Sequence, residues 1–159
     1  MRSNLSILSA FLIGMLLLQS CARIDLFEKN VSLPAGKWAS AVKPKITFEI
    51  TDTSSSYHVF FVIRHTDAFG YNNIWVRISS SMGTDTSNIA RNFDLPLASQ
   101  NKWLASGMDD IYEHRILLYS QPVRFQKKGT YTFTIEQIMR EDPLEHVMNI
   151  GLRLEKIRS

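Results

Sequence analysis

Beyond Lys45 the chain alternates apolar and polar residues with a period of two. In "KITFEIT" (Lys45 to Thr51) Ile46, Phe48 and Ile50 share one face, and Thr47, Glu49 and Thr51 share the other. In "YTFTIEQ" (Tyr131 to Gln137) Tyr131, Phe133 and Ile135 oppose Thr132, Thr134 and Glu136. Successive side chains of a strand point to opposite faces, so both runs predict half-buried antiparallel strands. "YHVFFVIRHT" (Tyr57 to Thr66) is apolar at both phases and predicts a central strand with partners over much of both faces. "NIWVRISS" (Asn73 to Ser80) follows the turn-rich "DAFGYNN", and together with the preceding strand it predicts a hairpin. Further strands are expected at Ile89 to Leu97, Arg115 to Tyr119, Val123 to Gln126 and Asn149 to Ile157. Short strands at this spacing predict an all-β fold, an antiparallel β-sandwich of roughly eight strands, with jelly-roll connections as one arrangement.

Two segments read ambiguously. In "GMDDIYEHRILL" (Gly107 to Leu118) Asp109 fits the cap of a short helix, while the β-branched and aromatic residues favour extension. "QIMREDPL" (Gln137 to Leu144) has room for one helical turn before Pro143 stops it. "ARIDLFEKNVSLPAGKW" (Ala22 to Trp38) lacks sustained periodicity and contains Pro34 and Gly36; it reads as a tether with a short first strand at Ile24 to Phe27.

The N-terminus follows a different pattern. Arg2 supplies a positive start, and Leu5 to Leu18 form an apolar run interrupted only by Ser6, Ser9 and Gly14. A membrane-spanning helix needs about 20 apolar residues. This run is shorter and has no basic stop-transfer flank immediately after it, so a cleaved export signal is expected. It ends in Leu18-Gln19-Ser20-Cys21, which resembles the lipobox of bacterial lipoproteins, with leucine three residues before the cysteine and a small residue just before it. Gln19 departs from the commonest pattern. The lipobox resemblance implies cleavage before Cys21, a diacylglycerol on its sulfur and acylation, as by palmitate, of the new amino group. Each buried methylene contributes about 0.8 kcal/mol, so several chains anchor where one would not. Ala22 stands where an aspartate would favour inner-membrane retention in the enteric sorting pattern, so an outer-membrane address is expected. The expected organisation is a signal peptide over residues 1–20, a lipidated N-terminus and tether over 21–44, and the sandwich over 45–159.

Composition narrows the remaining classes. The chain has 159 residues, 45% hydrophobic and 21% charged, typical of a folded protein of one domain. Cys21 is the only cysteine, so no intramolecular disulfide can staple the fold, and burial must hold the core. The net charge of +3 is small and interspersed, as in "RLEKIR" (Arg153 to Arg158), so no nucleic-acid partner is expected.

Catalytic patterns are sparse. Asp109, Asp110, Glu113 and His114 cluster in sequence; on a helix Asp110 and His114 would share a face at metal-ligand spacing. On a strand they would lie about 13 Å apart, too far for one ion. The alternative is a loop that pairs its charges, partly with Arg115. Arg64, His65 and Asp67 stand together at a strand end, where they form either a binding surface or a polar turn held by Asx hydrogen bonds. No G-x-S-x-G elbow and no phosphate-binding glycine loop occurs in the chain. Trp38, Trp75 and Trp103 lie in separate segments; Trp75 and Trp103, with Arg64, His65 and Asp67, are the candidates for a surface that binds, for instance, carbohydrate. No catalytic residue, metal ligand or cofactor is expected.

Several long strings carry a family resemblance. The lipobox cysteine, "FEKN" shortly after it, "RHTDAFGYNNIWV", "GMDDIYEHRI" and "KKGTYTFTIEQIMREDPLEHVMNIGLRLEK" resemble the gliding motility lipoprotein GldH family of Bacteroidota. The resemblance spans almost the whole chain after Cys21. It implies a membrane-anchored, non-catalytic envelope lipoprotein that supports gliding motility in company with type IX secretion machinery, with protein partners there. The runner-up expectation is a surface carbohydrate-binding sandwich.

Overall fold

The computed structural model describes residues 26–83 and 89–157. Leu18, Gln19, Ser20 and Cys21 lie outside the described residues. In chain order the strands are β1 (Leu26–Ser32), β2 (Lys37–Trp38), β3 (Lys45–Ile50), β4 (Tyr57–Thr66), β5 (Asn73–Met82), β6 (Ile89–Pro96), β7 (Ala98–Ser99), β8 (Lys102–Trp103), β9 (Ser106–Met108), β10 (Ile111–Leu117), β11 (Gly129–Gln137), β12 (Leu144–Glu145) and β13 (Val147–Lys156). Two sheets make the sandwich, a five-stranded one in the order β1-β13-β4-β10-β9 and a four-stranded one in the order β3-β11-β5-β6. All their pairings are antiparallel. The expected antiparallel β-sandwich is the observed fold.

Alternation explains the two layers. On β4, Val59, Phe61 and Ile63 enter the shared core, where they meet Ile46 and Phe48 of β3 and Phe133 and Ile135 of β11. Ile150, Leu152 and Leu154 of β13 fill the same layer. Burying each such side chain contributes roughly 1.5–3 kcal/mol. The described apolar core runs from Leu33 to Leu154, so the chain after Cys21 holds all of it. Val62 is also buried but sits at the opposite phase, which is why β4 is apolar on both faces.

The structure corrects four local expectations. First, β4 and β5 form no hairpin: they belong to opposite sheets, and residues 67–72 carry the chain across. Periodicity marks a strand without naming its neighbour. Second, the sandwich begins before residue 45. Leu26–Ser32 pairs along its whole length with β13, from Leu26 opposite Glu155 to Ser32 opposite Asn149, and Trp38 is fully buried. An edge strand with one weakly covered face shows little alternation, so its signal was faint. Third, Val123 makes only an isolated bridge to Tyr57, and no strand runs from Val123 to Gln126. Fourth, residues 138–143 form no helical turn; Gln137 ends β11, and its amide oxygen accepts from the Met139 N–H at 2.9 Å. Among the described residues no helix is long and apolar enough to cross a membrane.

Candidate functional site

The strand end carrying Arg64 and His65 lies beside β10, with Arg64 opposite Glu113 and His65 opposite Tyr112. Directly paired residues share a face, and faces alternate along each strand. His65 and His114 therefore turn into the core, while Arg64 and Glu113 turn outward. Both histidines are buried, at 0% and 1% exposure.

The two imidazoles bond to each other, Nε2 to Nε2, at 2.9 Å, and His65 Nδ1 stands 2.8 Å from the Thr66 carbonyl oxygen. A carbonyl only accepts, so His65 Nδ1 carries a proton, and in the neutral rings that burial favours, its Nε2 is the acceptor for His114 Nε2–H. His114 Nδ1 is left as an unprotonated, buried atom without a hydrogen-bond partner. Burial pushes the His65 imidazole below its ordinary range against the opposing pull of the Thr66 carbonyl and Asp67. Burial, and then repulsion from His65, pushes His114 down to about 4.

Aromatic rings enclose the pair. Ring centroids of Trp103, Phe69 and Tyr112 lie 4.5, 5.1 and 5.9 Å from that of His65. Trp103 is fixed by its Nε1–H, which donates to Asp67 Oδ1 at 2.7 Å, and the Asp67 N–H donates to the Asp110 carbonyl at 2.8 Å. Asp109 and Asp110 occupy the tight turn between β9 and β10 with φ of 51° and 61°, a conformation that Asp tolerates better than most residues. The ambiguous segment is thus a hairpin. Asp110 and His114 are not co-ligands, and among the described residues no group of three or more His, Cys, Asp or Glu side chains is placed to hold a metal ion.

On the outer face of the five-stranded sheet, ion pairs run along and across the strands, and one of them, Arg115 with Glu28, joins strands that are not neighbours. Arg64 holds Glu113 at 2.6 Å, Arg115 reaches both Glu113 and Glu28, and Arg153 reaches both Glu28, at 3.2 Å, and Glu155. Burial pushes the Glu28 carboxyl up, but hydrogen bonds from Arg115, Asn30 and Arg153 outweigh it and hold it below the usual range. Arg115 is reached from β1 over Gly151 and Val62, which occupy the intervening strands.

The sequence-predicted surface is therefore divided. His65, Asp67 and Trp103 converge at one corner. Arg64 belongs to the outer ion-pair network. Trp75 is elsewhere, 43% exposed, lining a shallow cavity of about 340 Å³ with Tyr71, Met139 and Arg140. Trp38 is buried, its Nε1–H donating to the Val42 carbonyl at 2.8 Å. The three tryptophans thus form no single row. Two features escaped the sequence reading. The pairing of His65 with His114 was signalled only by their equal inward phase on two apolar strands, and the role of Glu28 and Arg153 by the charged positions of "FEKN" and "GLRLEK".

Comparison with known proteins decides the family. Residues 25–154 match the GldH lipoprotein family. The chain belongs to it. A gliding motility lipoprotein GldH homolog from Christiangramia forsetii is 25% identical over 164 residues, covering 98% of each chain. Members are named for gliding motility and for their lipoprotein nature, as the resemblance implied. Among solved structures, a carbohydrate-binding module specific for non-crystalline cellulose covers 82% of this chain and 72% of its own, at 10% identity and a TM-score of 0.39. A family 35 carbohydrate-binding module from Clostridium thermocellum covers 80% of this chain and 91% of its own, at 13% identity and a TM-score of 0.37. At these scores the likeness says nothing of a ligand.

Proposed function

We propose that this protein is a lipid-anchored, non-catalytic accessory of the cell envelope that supports gliding motility and the associated type IX secretion machinery. The family match over residues 25–154 is the observation that supports this reading most. Residues 1–20 act as the signal peptide, and Leu18-Gln19-Ser20 present Cys21 for cleavage and acylation. The acyl chains hold the domain at the outer membrane and raise its effective concentration for protein partners there. Nucleic acid is no partner.

The non-catalytic part draws support from the chemistry of the histidine corner. A general base must reach the proton it abstracts. Here one His65 nitrogen is committed to a carbonyl and the other to His114, beneath aromatic rings. The corner reads as a structural clasp that holds residues 97–104 against the end of β4.

Gentle crosslinking in cells followed by purification of the lipoprotein tests the machine role. Recovery of motility or secretion components with it is expected; recovery of the lipoprotein alone would overturn that assignment.

A further inference from the structure

The sandwich opens at one end. β10 stops at Leu117, and the chain beyond it crosses β4 with little pairing, through the Leu118 N–H to the Val59 carbonyl at 2.9 Å and the bridge between Tyr57 and Val123. A cavity of about 350 Å³ lies beneath this crossing, between the two sheets. Val59, Phe125 and Phe133, all buried, and the partly buried Val123 form apolar walls. That volume falls in the range of small-molecule pockets, roughly 300–1,000 Å³.

The rim differs from the walls in sign as well as polarity. Ile78 of β5 is buried in the core and stands opposite Arg91 of β6, so Arg91 shares the inward face. Its guanidinium lies over the Tyr119 ring, 5.8 Å from the centroid. Arg124 also lines the cavity, and its guanidinium donates to the Ser54 carbonyl. Two arginines thus meet an apolar chamber, no aspartate or glutamate lines it, and among the described residues no ion pair engages either.

We propose that this cavity binds a small amphiphilic carboxylate, its apolar chain against Val59, Phe125 and Phe133 and its carboxylate on Arg91 and Arg124. A cavity wall of this kind rewards an apolar body, and a guanidinium fork matches a carboxylate. An inward arginine on an edge strand has a competing explanation, since such charges also deter pairing with other strands. Under that explanation the charge of a ligand's head group would be immaterial.

The test uses the unlipidated chain of residues 22–159, which contains the whole described core. The ¹⁵N-labelled protein is titrated with decanoate below its micelle concentration and, separately, with decyltrimethylammonium. Decanoate is expected to give saturable amide shifts centred on Val59, Ser80, Tyr119 and Phe125, with the cation binding at least tenfold more weakly. Arg91→Gln should weaken decanoate binding about tenfold. Absence of saturation, shifts centred elsewhere, equal affinity for both head groups or an unaffected Arg91→Gln would overturn the proposal. Should Arg91→Gln lose its dispersed spectrum, the comparison of head groups on the unsubstituted chain decides alone.

Discussion

At the scale of single residues, the buried histidine pair makes a definite statement about pH. The folded-state pKa of His114, at about 4, and that of His65 both lie below the ordinary value, so the unfolded chain binds more protons than the folded one over that interval. Stability from the pair is therefore fully present above about pH 6.5 and is lost as pH falls towards 4. Thermal melts between pH 7 and 5, above the range of the carboxylates, should show the midpoint falling on the order of 5 °C. His114→Phe, which keeps an aromatic ring and removes the protonation site, should flatten that slope; an unchanged slope would contradict the assignment. Gly151 is a second such position. A Cβ there would come within 1.7 Å of Asn30 Oδ1 and 2.7 Å of the Lys29 carbonyl oxygen. Gly151→Ala should cost about 1–3 kcal/mol in chemical denaturation, because backbone as well as a side chain must shift. A neutral result would mean that β1 sits less closely on β13 than described.

At the scale of elements, the strands with clean alternation or doubly apolar faces were legible: β3, β4, β5 and β11 fall where the pattern put them. Partner choice was not legible, because a period of two is the same whichever sheet a strand joins; hence the false hairpin between β4 and β5. Of β1, only Leu26 and Phe27 fell within the strand expected at Ile24 to Phe27, because its stability comes from pairing and from charges rather than from its own apolar face. Glu28 is the centre of that attachment, accepting from Arg115 at 3.1 Å and Arg153 at 3.2 Å with only 18% of its side chain exposed. Glu28→Gln should cost about 1 kcal/mol in urea denaturation at low salt, and less at high salt, where screening already weakens the pairs. An equal cost at both salt concentrations would assign the loss to packing instead.

At the scale of the whole molecule, sequence and structure divide the evidence of function between them. The sandwich class was readable because burial without disulfides leaves strong periodic traces in a chain of this size. The corner joining His65, Asp67 and Trp103 was only half readable: the residues stood out as polar or aromatic at a strand end, but their convergence depends on residues 97–104 folding back from the other sheet. The proposed anchor, conversely, rests on the sequence alone, on the lipobox resemblance of Leu18-Gln19-Ser20-Cys21, outside the described residues. The central claim is that this sandwich works tethered to a membrane through Cys21. Metabolic labelling with a palmitate analogue, followed by envelope fractionation of cells producing the wild type or Cys21→Ser, measures it most directly. The account predicts label on the wild type in the membrane fraction and its loss in Cys21→Ser; no label on either, with an unchanged membrane fraction, would contradict it.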